Sequence, residues 1–241
     1  MKLGTYELNQ IYNTDCLDGL KNLPDACIDC IITDPPYFLG VTHNGKKGQY
    51  SDLAIMKPFF DTLFFQYNRV LKPDGKMYMC CDWRTYPFLY PICEQHLPIK
   101  NLIVWNKQSG PGNFYTFTHE LIIFVCKNNK FASKGARNII SIPGFSAGAK
   151  KTNGEKIHPT QKPIELFEKF ITDSTKEKDV ILDTFIGSGT LAIAAITTHR
   201  NYIGFELQSK YCNIANERIQ KFQGNFVKTE NHTQQKNMFM E

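Results

Sequence analysis

The stretch Val180-Ile-Leu-Asp-Thr-Phe-Ile-Gly-Ser-Gly-Thr-Leu-Ala192 decides the fold. A short apolar run, of the kind that is buried on both faces of a parallel sheet, ends in an acid. Gly187, Gly189 and Ala192 then follow the G-x-G-x-x-A spacing, which makes a tight turn and lets a ligand approach a helix N-terminus. A helix over Thr190–His199 and a strand over Tyr202–Phe205 come next, ending at Glu206. No lysine follows the second glycine, so this is not a phosphate P-loop. A plain strand-to-helix turn would also use glycines, but strand, glycine turn, helix, strand and acid in that order favour a nucleotide. Glu206 is placed to accept hydrogen bonds from ribose hydroxyls.

Working outward, the same grammar recurs. Strands are predicted at Gln10–Thr14, Cys27–Thr33, Lys76–Cys81, Leu102–Trp105 and Glu120–Cys126. Helices are predicted at Leu17–Leu23, Pro163–Ser174 and Ser209–Phe222. Lys57–Leu71 is a further helix, with Phe60, Leu63, Phe64, Tyr67 and Leu71 on one core-facing stripe. Lys72–Gly75 reads as a turn, and Phe38–Met56 as loop. Strands alternating with helices predict an α/β fold, a Rossmann-like and mostly parallel sheet flanked by helices. Ligands of such sheets bind at the strand carboxyl ends. Asp15, Asp34, Asp183 and Glu206 all stand at or just past a predicted strand end, so they should share one rim.

The 241 residues, 42% hydrophobic and 21% charged, describe an ordinary globular chain with no apolar run long enough to span a bilayer. The N-terminus lacks an apolar signal core, which predicts a cytoplasmic protein. Eight cysteines lie in or beside apolar segments, as buried thiols of a reducing compartment do. Cys27 and Cys30 have half a zinc spacing, but no second pair stands at a finger-like distance, and they read as core; no metal is expected. Trp105 and His119 also read as core. The formal charge of +5 is concentrated: Lys130–Lys162 holds seven basic residues against Glu155 alone, in a glycine-bearing loop. Such a loop can follow a phosphate backbone while neutralising it.

The second informative stretch is Ile31-Ile-Thr-Asp-Pro-Pro-Tyr-Phe-Leu-Gly40. Two prolines stop the strand and hold the next residues stiffly. At the rim Asp34 could accept one hydrogen of an exocyclic amino group and the Pro35 carbonyl the other. That would pull the nitrogen towards tetrahedral geometry and free its lone pair. Tyr37 would give a flat base a ring to stack on, once that base has been flipped out of a duplex. NAD would place a pyrophosphate on the glycine turn. S-adenosylmethionine, with a sulfonium and an amino group, suits the acids better, and Asp183 stands well for its amino group.

With those residues in place, the chain resembles the amino-methyltransferases of DNA, which modify adenine N6 or cytosine N4. Asp34-Pro35-Pro36-Tyr37 matches the family's acceptor motif, and Asp183-Thr-Phe185-Ile-Gly187-Ser188-Gly189-Thr190 its donor motif, with Thr184 where proline is usual. Acceptor before donor is the order of the β group, a circular rearrangement. His158-Pro-Thr-Gln-Lys162-Pro is similar to the segment preceding the donor motif, and Asn13-Thr-Asp15-Cys16 to one whose acid approaches the donor's adenine.

The resemblance covers roughly residues 9–221. It implies one methyltransferase domain over 1–222, a target-recognition insert at 127–157 and a polar, frayed tail at 223–241. It implies S-adenosylmethionine held by Asp15, Cys16, Lys162, Asp183, Phe185, Gly187, Ser188, Gly189, Thr190 and Glu206. Asp34, Pro35, Pro36 and Tyr37 would be catalytic. Double-stranded DNA would meet Lys46, Lys47, Lys134, Arg137, Lys150 and Lys151. The D-P-P-Y form favours adenine over cytosine. Any cognate restriction endonuclease would be a separate protein, and monomer and homodimer both stay open. A dinucleotide-dependent oxidoreductase would use the glycine turn but leave D-P-P-Y and the basic loop without a task.

Overall fold

The computed structural model describes residues 2–37, 42–43, 46–47, 53–112, 114–131, 133, 135–145, 151–152, 155–156 and 161–238. In chain order they form β1 (Lys2–Leu3), β2 (Tyr6–Glu7), β3 (Gln10–Asn13), α1 (Cys16–Lys21), β4 (Ile28–Thr33), β5 (Thr42–His43), β6 (Lys46–Lys47) and α2 (Leu53–Val70). Then come β7 (Leu71–Cys81), α3 (Tyr86–Cys93), β8 (Ile99–Asn106), β9 (His119–Cys126), β10 (Ile139–Ser141), β11 (Lys151–Thr152) and β12 (Glu155–Lys156). The last elements are α4 (Ile164–Ser174), β13 (Val180–Asp183), α5 (Thr190–Thr197), β14 (Asn201–Glu206) and α6 (Ser209–Met238).

Eight strands make one sheet in the order β10-β8-β9-β7-β4-β13-β14-β3. All its pairings are parallel except those of β9, which runs against both β7 and β8. Side chains alternate between two apolar layers, as a sheet covered on both faces requires. Met77, Met79 and Cys81 of β7 join Phe60, Leu63, Phe64 and Leu89 of α2 and α3. Tyr78 and Cys80 face the opposite layer with Leu166, Phe170, Leu191 and Ala215 of α4, α5 and α6. The result is a helix–sheet–helix sandwich, the Rossmann-like architecture expected.

β4 and β13 are central neighbours, pairing Cys30 with Ile181 and Ile31 with Leu182. From β4 the chain passes through α2 to β7 on one side; from β13 it passes through α5 to β14 on the other. The sheet order reverses at this pair. A crevice therefore opens where both strands end, and ligands of open α/β sheets bind in such crevices.

Several boundaries differ from the sequence reading. Helix α2 starts at Leu53, so Pro58 lies inside it instead of in its first turn. Lys72–Gly75 belongs to β7 as an irregularity, because β4 pairs Ile28 with Leu71 and then Cys30 with Lys76. Helix α3 was not foreseen: Pro87 and Pro91 hide it, and burial of Leu89, Ile92 and Cys93 against the α2 layer holds it. β10 lies in the expected loop, recruited by parallel pairing with Val104–Asn106. Helix α6 continues through the supposed frayed tail to Met238; that stretch has no proline, and its Lys, Gln and Glu are good helix formers. Trp105 is core, its indole donating to the Ile142 carbonyl at 2.8 Å, whereas His119 is exposed at the head of β9. Cys30 is fully buried and Cys27 half-buried.

Gly19 of α1 rests against the Phe205 ring, where an added Cβ would come within 2.7 Å of two ring carbons. Gly19→Ala should therefore destabilise the fold by about 1–3 kcal/mol, read as a lower urea midpoint at unchanged slope. Gly224→Ala, inside α6, meets nothing within 4 Å and should raise stability by about 0.5–1 kcal/mol.

Candidate functional site

Both motifs leave the crevice strands side by side. Thr33, the last residue of β4, donates from its hydroxyl to Asp183 Oδ1 at 2.9 Å, and the Phe185 N–H reaches the same oxygen at 3.0 Å. Thr184 Oγ1 bonds closely to the Tyr67 hydroxyl of α2 and lies 3.4 Å from Thr33 Oγ1. Burial pushes the Asp183 carboxyl up to about 7, against those two hydrogen bonds, with Asp34 and Glu206 adding to the rise.

The glycine turn is held from two directions. Gly187 and Gly189 adopt φ of 51° and 78°, left-handed conformations that favour glycine. Glu206, closing β14, accepts the Gly187 N–H at 3.1 Å and the Gln208 N–H at 2.8 Å. Burial raises its carboxyl above the ordinary value. Arg218 of α6 reaches back to donate to the Ser188 carbonyl at 2.9 Å and to the Ser188 and Thr190 hydroxyls at 3.3 and 3.2 Å. On the far side of β14, Asp15 caps α1 by accepting the Leu17 N–H at 2.8 Å, and the neighbouring Cys16 is buried, its thiol pushed up to about 12 by burial.

Beside this donor-side half lies a tight polar cluster. Asp34 Oδ2 is 2.5 Å from Lys162 Nζ. The same ammonium is 3.1 Å from Glu120 Oε2, donates to the Tyr37 hydroxyl at 3.3 Å and sits 5.2 Å from the Tyr37 ring centre. Tyr37 donates to Glu120 Oε2 at 2.8 Å, and Lys107 is 3.1 Å from Glu120 Oε1. Asp34 Oδ1 is buried and has no partner among the described residues. Pro35 is buried and Pro36 exposed.

The charges are shared unequally. Burial would raise Glu120, but Lys162, Lys107 and the Tyr37 hydroxyl outweigh it and bring it down to about 2. Burial raises Asp34; Lys162 opposes the rise and Glu120 adds to it, leaving its carboxyl above the ordinary range. Burial would discharge Lys162, but two carboxylates keep it charged and lift it well above a free lysine.

Of the four acids expected on one rim, Asp34 and Asp183 stand at the ends of the neighbouring strands β4 and β13 and Glu206 closes β14, while Asp15 lies one strand further out and caps α1. Lys162, expected to hold the donor, lies against Asp34. Glu120 was missed as a site residue because acids were sought only at strand carboxyl ends. β9 runs antiparallel, so its first residues meet the same rim. An acid heading an otherwise apolar strand was the available signal. Lys107, Thr33, Tyr67 and Arg218 carried none.

Arg137 is exposed on the segment before β10. Lys46, Lys47 and Lys151 lie in the two-residue strands β6 and β11. Lys134 and Lys150 fall outside the described residues, as do most of Phe38–Met56 and His158–Thr160. A cavity of about 390 Å³ opens between β8, β9, β10 and α4, but it shares no residue with either motif. Among the described residues no cluster of three metal-ligating side chains occurs, and no helix is long and apolar enough to cross a membrane.

Comparison with known proteins agrees with this geometry. A family model described as DNA methylase, of the N6/N4 type, matches residues 28–217. The type II methyltransferase M.HinfI of Haemophilus influenzae is 30% identical, over 90% of this chain and 70% of its own length. M2.MboI of Moraxella bovis is 31% identical, over 86% of each chain. Among solved structures, the M1.HpyAVI–SAM complex superposes with a TM-score of 0.67 at 28% identity, covering 87% of this chain and 98% of the other. The cytosine-N4-specific PvuII DNA methyltransferase reaches 0.69 at 18% identity, covering 88% and 90%, which bears on the fold alone.

At Gly189 a side chain would face both a left-handed backbone and Ala215 Cβ at 3.1 Å. Gly189→Ala should cost about 1–2 kcal/mol of stability, measurable by thermal or urea denaturation.

Proposed function

Because the chain belongs to the N6/N4 DNA methylase family, we propose that it transfers a methyl group from S-adenosylmethionine to N6 of an adenine swung out of double-stranded DNA. The observation that carries this reading is Asp34 Oδ1, buried and without a partner among the described residues, next to the strand end that Thr33 ties to Asp183. The D-P-P-Y form of the acceptor motif favours adenine; cytosine N4 is the second reading. A dinucleotide oxidoreductase would leave the acceptor cluster without a task.

The residues present fit the donor. Asp183 is a buried carboxyl held near neutrality by its surroundings, suited to ionise opposite an amino group. The turn at Gly187–Gly189 offers backbone free of side chains, and Glu206 closes the next strand where ribose hydroxyls would be bound. When bound, the donor supplies an electrophilic methyl on a cationic sulfur.

The chain's own residues do the rest. Asp34 Oδ1 and the Pro35 carbonyl accept the two amino hydrogens and turn the nitrogen lone pair towards the donor side. Proline makes the second acceptor rigid. Lys162 occupies one side of Tyr37, so the extruded base stacks on the ring's other face. Charge neutralisation of the duplex falls to the basic segment that includes Arg137, Lys134, Lys150 and Lys151, together with Lys46 and Lys47. A bacterial cytoplasmic setting and a role beside a separate endonuclease suit relatives described as type II methyltransferases.

Expression in a methylation-free bacterial host, followed by single-molecule sequencing, should reveal N6-methyladenine at one short motif; N4-methylcytosine would replace the adenine assignment. Asp34→Ala should bind donor normally and leave the DNA unmodified. Donor binding should also depend on pH. Ionised Asp183 is the form that binds, and its carboxyl titrates at about 7, so affinity should rise as pH increases towards that value and fall again once the donor's ammonium loses its proton at about 8. Calorimetry at several pH values checks this, and Asp183→Asn should flatten the dependence.

A further inference from the structure

We propose that Lys162 is a positioning residue: anchored by Glu120, its ammonium engages Asp34 Oδ2 and so leaves Oδ1 as the carboxylate oxygen open to the target amine. The inference rests on reading the crevice as the transfer site.

An ammonium has three donors, and Lys162 has three oxygen partners: Asp34 Oδ2 at 2.5 Å, Glu120 Oε2 at 3.1 Å and the Tyr37 hydroxyl at 3.3 Å. It has nothing left to offer a ligand. Its side chain is only 5% exposed, which fixes it as a strut. Glu120 is fixed in turn, since Lys107 takes Oε1 while Lys162 and Tyr37 take Oε2. Positive and negative groups alternate along Lys107–Glu120–Lys162–Asp34, and the row ends at the one buried carboxylate oxygen without a partner among the described residues. Buried ion pairs seldom raise stability over an apolar alternative, so a row of this kind calls for another task.

The row also joins separate parts of the chain at Asp34. Lys107 follows β8, and its carbonyl accepts the Gly144 N–H at 3.0 Å, midway along the basic segment. Lys162 closes the segment, just before α4. The segment expected to read the DNA is therefore tied, at Gly144 within it and at Lys162 at its end, to the row that reaches the residue expected to hold the target amine.

The charged and titratable groups around Asp34 are Lys162 before α4, Glu120 on β9 with Lys107 behind it, Tyr37 on its own motif, Cys80 on β7 and Asp183 on β13. Lys162 lowers the Asp34 carboxyl and Glu120 raises it. Removing one or the other should thus move Asp34 in opposite directions, which a merely structural contact would not do.

The test tracks the Asp34 carboxyl directly, by 13C NMR titration of the donor-free protein with Asp34→Asn to identify the signal. Lys162→Met should move the titration to higher pH and Glu120→Gln to lower pH. In steady-state transfer to duplex DNA, activity falls as Asp34 protonates, so the acid limb of kcat should shift the same two ways. Lys162→Met should also cut kcat by about 100-fold with donor affinity unchanged, and Lys162→Arg should recover part of that loss. Should Lys162→Met fail to fold, the downward shift in Glu120→Gln decides alone. An Asp34 titration that neither variant moves, or a Lys162→Met defect in donor affinity with kcat intact, overturns the proposal. A wild-type protein that transfers no methyl would instead defeat the functional reading, while the titration would still report on the ion row.

Discussion

The parallel pairing of β4 with β13 is the constraint on which the site depends. It is set by apolar strands packed on both faces, and it fixes Ile31 beside Leu182. Two residues beyond Ile31, the Thr33 hydroxyl closes onto Asp183. The acceptor and donor motifs, distant in the chain, become adjacent because their strands are neighbours at the point where the sheet order reverses. Neither motif makes a crevice by itself. Moving either strand by one position in the sheet would put a whole strand width, about 4.8 Å, between them.

Burial then gives the adjacent groups their chemistry. Asp183 and Asp34 are both pushed towards the neutral form by loss of water. Each has a different restraint. Asp183 is held by a hydroxyl and a backbone N–H, neither charged, and so titrates near neutrality; Asp34 is held by an ammonium. The first arrangement suits a carboxyl that ionises when a cation arrives. The second keeps one oxygen engaged and leaves the other buried without a partner among the described residues. Two acids at neighbouring strand ends are thereby given different electrostatic surroundings.

Much of this was legible in the sequence, for physical reasons. Strands buried on both faces are written as apolar runs, so β4 and β13 were plain, and glycines at left-handed positions marked the turn at Gly187–Gly189. What failed to show depends on partners far away in sequence. Helix α3 carries two prolines and exists because its apolar face is covered. β10 has three residues and is a strand through its pairing with β8. Glu120 sits at the start of β9, and only the antiparallel direction of that strand brings it to the rim. Lys162 was legible as part of a motif, but its contacts with Asp34, Glu120 and Tyr37 were not, since the motif does not say which way its side chain turns.

A crystal structure with S-adenosylhomocysteine, the demethylated donor, tests the central claim most directly. The sulfur should lie in the crevice between the ends of β4 and β13, with the ligand's amino group at Asp183, its ribose at Glu206, and Asp34 Oδ1 facing the sulfur across space wide enough for a flat base. A ligand seated elsewhere, or one whose sulfur points away from Asp34, would contradict the account.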